Sequence, residues 1–235
     1  DPKYFENPSE ATNVQLAYDD SFLYIGATLF SKSNSIVQKL GDYDSFDESF
    51  DNNSDYFIVE IDSDHNHETA YGFGVNAANV KADYMIYDDA LIDDYWDANW
   101  ESAVVIDSLK WTIEFKIPFN CMRYNSENSD WGINFIRYVY HNNEINVWIA
   151  VPNKTDKIVS EYGHLTGVVF NKQSNFSFKP YIRAGRIEYD DSIYEINLED
   201  NDSYSLGELV NSPLNKFENK IGLDAKYVFN FNTVL

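Results

Sequence analysis

The sequence predicts an all-β protein built as an antiparallel β-sandwich. Three observations carry that expectation. Apolar and polar residues alternate with a period of two in segment after segment, which is the signature of strands with one buried face. The segments are short and separated by Asp-, Asn-, Ser- and Gly-rich turns, as in hairpin-connected sheets. Aromatic residues make up 17% of the 235 residues, 18 Tyr and 16 Phe among them, a composition that suits pleated surfaces.

Taken in order, residues 1–10 carry two prolines and read as an extended lead-in. TNVQLAYDD and SFLYIGATLF form a predicted hairpin about Asp19-Asp20-Ser21, with Val14 and Leu16 facing Leu23, Ile25, Ala27 and Leu29. SNSIVQKL (33–40) reads as a short helix or a strand edge, and residues 41–55 as an acidic loop. DYFIVEID places Phe57, Val59 and Ile61 on one face, and TAYGFGVN does the same with Tyr71, Phe73 and Val75. Gly72 and Gly74 between those aromatics predict a bulge or the close approach of another group. KADYMIYDD is a third strand, and ESAVVID and KWTIEFKIP a hairpin across Ser108-Leu109 with Trp111, Ile113, Phe115 and Ile117 inward. WGINFIRYVYHNN aligns Trp131, Ile133, Phe135, Arg137 and Val139, and INVWIAVP and HLTGVVF add two further strands. From Lys172 the strands lengthen, so the chain divides into 1–171 and 172–235.

The formal net charge is −22, from 39 acidic and 17 basic residues. Such a chain repels phosphate backbones, which argues against a nucleic-acid partner, and it attracts hard divalent cations. The single cysteine, Cys121, excludes an intrachain disulfide, and no apolar run reaches the length of a membrane-spanning helix.

DDYWDANW lies outside any alternation and sets Tyr95, Trp96 and Trp100 among carboxylates. These rings are the first ligand candidates, since the C–H face of a sugar stacks on an aromatic ring. Trp111 and Trp131 occupy regular core positions, and Trp148 is left unassigned. Arg137, inward between Phe135 and Val139, needs an anionic partner, for which Glu114 is the expected residue. It also offers a planar donor fork to hydroxyls or a carboxylate, so Trp96 and Arg137 are expected in one site. Asp62, Asp64, Asn66 and Glu68 bring oxygens at every second position, a spacing suited to calcium, and Asp42, Asp44 and Asp47 make a second such set. His65 and His67 alternate in the first turn and could take zinc or nickel. No nucleophile-elbow, zincin or phosphate-loop motif occurs, so catalysis is not expected.

DDSFLYIGATLF, SDYFIVEIDSDHNHETAYGFGVNAANVKADYMIYDD, YWDANWESAV, WTIEFKIPF and WGINFIRYV together resemble the β-sandwich of carbohydrate-binding module family 9 and its DOMON-type relatives. Within that group the chain is most similar to the module at the N-terminus of bacterial outer-membrane barrel proteins. The resemblance spans about residues 12–170. It implies a non-catalytic module of the bacterial cell envelope, outer-membrane-associated or secreted, that holds a glycan by aromatic stacking. Structural calcium is also implied. Trp96 and Trp100 fall in the group's loop-to-strand segment, Asn76 in its VN motif and Arg137 in its NFxRY-like motif, which makes them, with Tyr95, the implied ligand residues. PYIRAGRIEY and IGLDAKYVFNFN would then be the first strands of the protein's own barrel. An overall acidic chain with a local arginine leans toward an anionic, uronate-containing glycan. The rival reading is a scaffold that packs on its own barrel without a small ligand. A third is a haem-binding electron-transfer domain using Met85 or Met122 with His141 or His164.

Overall fold

The structure is a computed structural model that describes residues 6–32, 35–41, 43, 53–124, 129–150 and 157–168 in full, and the backbone of four strands between 176 and 227. In chain order the strands of the first part are β1 Thr12–Tyr18, β2 Phe22–Phe30, β3 Tyr56–Asp62, β4 Ala70–Asn76, β5 Lys81–Tyr87 and β6 Leu91–Asp93. They continue with β7 Glu101–Ile106, β8 Lys110–Pro118, β9 Trp131–Val139, β10 Glu144–Val147 and β11 Gly163–Leu165. A narrow sheet has the order β1-β2-β8-β7, and a wide one the order β10-β9-β3-β4-β5-β6, with β11 also paired to β9. Every pairing is antiparallel.

Register explains the core. Leu23, Ile25, Ala27 and Leu29 of β2 stand opposite Ile117, Phe115, Ile113 and Trp111 of β8. On the wide sheet Phe57, Val59 and Ile61 of β3 oppose Val75, Phe73 and Tyr71 of β4. Side chains directly opposite share a face, so the two rows form slabs that meet in one apolar core. Trp111 and Trp131 are fully buried in it, in keeping with their regular strand positions.

The alternation correctly predicted the inward faces but understated the outward one. All seven residues of β3 and all seven of β4 are buried, not just alternate ones. The outer face of the wide sheet is covered by a second cluster in which Tyr56, Ile58, Tyr84, Ile86 and Tyr138 pack with Val159 and Tyr162. A single Asp89 carboxylate pins that cover, accepting hydrogen bonds from the backbone N–H groups of Ile158 (3.1 Å) and Ser160 (2.9 Å) and from the Ser160 hydroxyl (2.9 Å). Gly72 has its place here. A Cβ on it would lie 2.2 Å from the Tyr84 ring, so the glycine marks a close approach and not a bulge.

Under the cover lies Glu60, 5% exposed, which accepts hydrogen bonds from the hydroxyls of Tyr84 and Tyr162. Burial raises its pKa well against the opposing effect of the two hydroxyls.

Residues fall into two compact units, Asp1–Ser174 and Asn175–Leu235. The second contains β12 Phe176–Glu188 paired along its whole length with β15 Asn215–Tyr227. Between them in sequence, β13 Ile193–Glu199 pairs with β14 Ser203–Val210. No helix among the described residues is long and apolar enough to cross a membrane, which does not bear on crossing by strands.

Candidate functional site

The loop that follows β6 carries Tyr95, Trp96 and Trp100. The inner face of β4, with Tyr71 and Phe73, takes part of its cover from this loop. The loop's two tryptophans supply that cover. Trp100 is 2% exposed, stacks on Phe115 at 5.7 Å with a 9° tilt, and meets Phe73 edge-on at 5.4 Å. Its indole N–H donates to Asp83 Oδ2 at 2.8 Å, and Asp83 also accepts from Tyr43 and from the backbone of Ala98. Lys81 Nζ lies 4.8 Å from the Trp100 ring and donates to the Trp100 carbonyl. Trp100 is therefore a core residue and offers no face to a ligand, contrary to the expectation. Trp96 is half-buried against Tyr71 (5.0 Å) and Phe73 (5.9 Å), while Tyr95 projects into solvent with 93% exposure.

Arg137 is 2% exposed, with both terminal nitrogens bonded inside the protein and its Nε buried without a hydrogen-bond partner among the described residues. Its Nη2 pairs with Glu10 Oε2 at 3.0 Å and donates to the Phe30 carbonyl, and its Nη1 donates to the Ala11 carbonyl and to Thr12 Oγ1, both at 3.0 Å. Burial lowers its pKa and the nearby carboxylates, Glu10 first, oppose that fall. The partner is Glu10, not Glu114, which faces outward on β8 with the opposite strand parity to the core residues. Trp96 leans on β4 and Arg137 stands on β9, with β3 between them, so the two do not form one site. Asn76 is also fully buried, on the face of β4 opposite to Phe73 and Val75. Its side-chain oxygen accepts from the N–H groups of Ala78 and Val80 and its amide donates to the Lys39 carbonyl, an anchor for the turn after β4.

Two of the four residues of the first predicted calcium turn, Asp62 and Asn66, accept hydrogen bonds from the turn's own backbone. Asp62, fully buried, accepts from the backbone N–H groups of Asn66 (3.2 Å) and His67 (2.9 Å). Asn66 Oδ1 accepts from those of Glu68 and Thr69, and Asp64 faces Arg123 at 3.6 Å. Asp62 and Asn66 thus staple the loop, and no group of three acidic or histidine side chains converges there as a metal cage among the described residues. Asp42, Asp44 and Asp47 lie outside the described residues. Of the haem candidates, Met122 is buried in the core and Met85 partly buried against it, His141 faces Glu10 at 3.3 Å, and His164 sits 5.3 Å from His65, ring to ring.

The residue that sequence reasoning left unassigned is, among the described residues, the aromatic best placed for a ligand. Trp148 follows β10 at the opposite side of the sandwich and is 54% exposed. Its ring packs on Phe135 at 5.6 Å and lies over Gly163, where a Cβ would come within 2.4 Å of it. The backbone beneath is equally fixed. Trp148 N–H donates to the Phe135 carbonyl, and the Asn134 side-chain amide both donates to the Ile149 carbonyl (3.1 Å) and accepts from the Ile149 N–H (3.0 Å). On the neighbouring edge strand β1, Leu16 and Tyr18 are 36% and 43% exposed although their register places them on the inner face, and Tyr18 donates to the Gly167 carbonyl just beyond β11. Trp148, Leu16 and Tyr18 thus each keep part of their surface in water. The only trace of this in the sequence is that Trp148 breaks the face set by Ile145 and Val147.

No protein-family model matches the chain, and no curated protein matches it. Two solved structures of a family 9 carbohydrate-binding module from Caldicellulosiruptor kristjanssonii are similar to it, each at 12% sequence identity. The one in complex with cellotriose has a TM-score of 0.48, with 73% of this chain and 80% of that chain covered. The one in complex with glucose has a TM-score of 0.49, with 73% and 82% covered.

Proposed function

We propose that the sandwich is a non-catalytic glycan-binding module of a bacterial cell-envelope protein, with Trp148 as its stacking platform. The observation that carries this reading is a half-exposed indole braced from behind by Phe135 and Gly163. A rigid, half-desolvated aromatic face is suited to the C–H face of a pyranose, because little ordering remains to be done on binding. The neighbouring Leu16 and Tyr18 extend the apolar surface at that edge. The leaning toward an anionic glycan loses its basis, since both terminal nitrogens of the Arg137 guanidinium are taken by Glu10 and backbone carbonyls. With a net charge of −22, a neutral glycan is the better partner.

The test is a glycan array containing neutral and uronate polymers, followed by titration of the parent, Trp148→Ala and Trp96→Ala with the best neutral ligand. Loss of a stacking platform worth about 1–3 kcal/mol, by analogy with base stacking, weakens binding roughly 5- to 150-fold. Trp148→Ala should show that loss with unchanged melting. An array without hits, or equal binding by Trp148→Ala and parent, would sink the reading.

The envelope setting is part of the proposal. β12 and β15 are 13 residues each and paired throughout, longer than the roughly 9–11 residues with which a strand crosses a bilayer. They are read as the opening strands of an outer-membrane barrel. Structural calcium belongs to the same reading, carried by the acidic segment that holds Asp42, Asp44 and Asp47. The rival, a scaffold docked on that barrel without a small ligand, is favoured by Ile145 and Val147, exposed at 58% and 38% on β10. Glycan binding that survives Ile145→Ser and Val147→Ser separates the two.

A further inference from the structure

Three of the four histidines of the chain meet at one corner of the wide sheet, although one of them is 97 residues or more from the others in sequence. His65 and His67 stand in the turn after β3, with ring centroids 4.5 Å apart. His164 comes from β11, and its ring lies 5.3 Å from that of His65. Sheet register brings them together. Asp62 at the end of β3 and His164 on β11 both pair with Gly132 of β9, one from each side. Gly132 has no side chain to fill the gap, and a Cβ there would stand 3.0 Å from that of Asp62. The corner is thus open enough for the turn and β11 to face each other.

His65 and His67 are held firmly. The Asp62 carboxylate accepts the His67 and Asn66 N–H groups, fixing the backbone of the turn. His65 Nδ1 is buried and has no hydrogen-bond partner among the described residues. A buried ring nitrogen without a partner costs free energy unless something else satisfies it, and a neutral imidazole nitrogen is a favoured ligand of borderline-soft divalent metals.

We infer that His65, His67 and His164 form a binding site for a transition metal of the zinc, nickel or copper class. Two imidazoles bonded to one tetrahedral metal at about 2.0–2.1 Å keep their ring centroids roughly 5 Å apart, and the two observed separations bracket that value. The rings now pack at tilts of 59° and 56°. No group of three His, Cys, Asp or Glu side chains among the described residues is already converged as a metal cage. Convergence requires the His67 and His164 rings to turn, and both are exposed and able to do so. Asp62 acts as a positioning residue, because its oxygens are taken by the backbone of the turn. This site shares no residue with the Trp148 edge, so it stands or falls independently of glycan binding.

The experiment titrates the full chain with zinc or nickel chloride, read by calorimetry and by melting temperature, and repeats both with His164→Ala and His67→Ala. The expected result is a dissociation constant of micromolar order and a melting temperature raised at saturation. Each variant should lose at least tenfold in affinity while melting as the parent does without metal. Affinity should also be lower in acid, because protons compete with the metal for imidazole nitrogens. Any calcium-induced shift should survive His164→Ala, since calcium takes oxygen ligands. The inference is overturned if the parent shows no binding at 100 µM zinc or nickel, or if both variants bind as the parent does. Should His164→Ala fail to fold, His67→Ala decides alone.

Discussion

The two sides of the sandwich each receive a tryptophan from a segment outside the long strands, and they treat it in opposite ways. On the β4–β5 side, Trp100 is driven into the core, its N–H bonded to Asp83 and its ring covered by Lys81. On the β1–β10 side, Trp148 is braced from one direction only and keeps half of its surface in water. The difference comes from what surrounds each ring. Trp100 meets a buried acceptor for its polar atom, so full burial costs no unpaired N–H, and its ring packs on Phe73 and Phe115. Trp148 meets a glycine and a half-buried phenylalanine, which support a plane without enclosing it. The same residue type is therefore structural at one edge and available at the other, and only the neighbours decide which.

The largest expected effects test that contrast. Trp100→Ala should cost about 3–5 kcal/mol of stability, as a large cavity opens and Asp83 loses a donor, whereas Trp148→Ala should stay within about 0.5 kcal/mol. Denaturant melts of the two variants measure the difference, and similar losses would mean that Trp148 is core after all. Arg137→Ala belongs with the large losses, at about 3–5 kcal/mol, because Glu10 would be left buried without its cation. Glycan binding that vanished in this variant without any fall in stability would restore Arg137 to the ligand site.

A smaller effect concerns pH and the outer face. Burial raises the pKa of Asp55, Glu60, Asp62 and Asp83. A carboxyl whose folded pKa lies above its unfolded value holds its proton longer in the folded state. Stability is then greatest below the unfolded value, near 4 to 4.5, and declines as pH rises toward the folded one. Relief of self-repulsion in so acidic a chain acts in the same direction. Melting temperature should therefore fall from pH 5 to pH 8, and Glu60→Gln, which mimics the protonated acid, should flatten part of that slope. An unchanged slope would mean that Glu60 keeps its proton throughout the range or does not titrate differently on folding. The smallest effect is that of calcium. Millimolar calcium should raise the melting temperature modestly over chelator by mass action, and superimposable melts would remove calcium from the proposal.

Much of the sandwich was legible because period-two alternation survives wherever one face is buried against a partner sheet. β2, β3, β4 and β8 and the inward set from Leu23 to Trp131 follow from it directly. The glycine between Tyr71 and Phe73 read as a bulge or a close approach, and the Tyr84 ring makes it the second. What alternation does not encode is cover supplied by irregular chain. Val159 and Tyr162 bury the outer face of β3 from a segment with no strand pattern, so Ile58 and Glu60 read as solvent-facing when they are not. The site suffered for a related reason. Glu10 sits in a patternless lead-in, 127 residues from Arg137, and nothing local marks it as the partner. The register that carries His164 to the turn of His65 likewise exists only once β3, β9 and β11 are assembled.

The Asn134 amide does for the segment after β10 what a whole neighbouring strand would otherwise do, meeting both the N–H and the C=O of Ile149 with one side chain. The backbone next to Trp148 is thus tied down by a two-bond pivot, in addition to the brace that Phe135 and Gly163 give the ring. Asparagine presents a donor and an acceptor there, and aspartate presents acceptors alone, so one atom's difference would set an oxygen against the Ile149 carbonyl and slacken the mount. On the proposed glycan-binding reading, residence time at this edge would then be adjustable from behind, by a residue that leaves the chemical character of the exposed face unaltered.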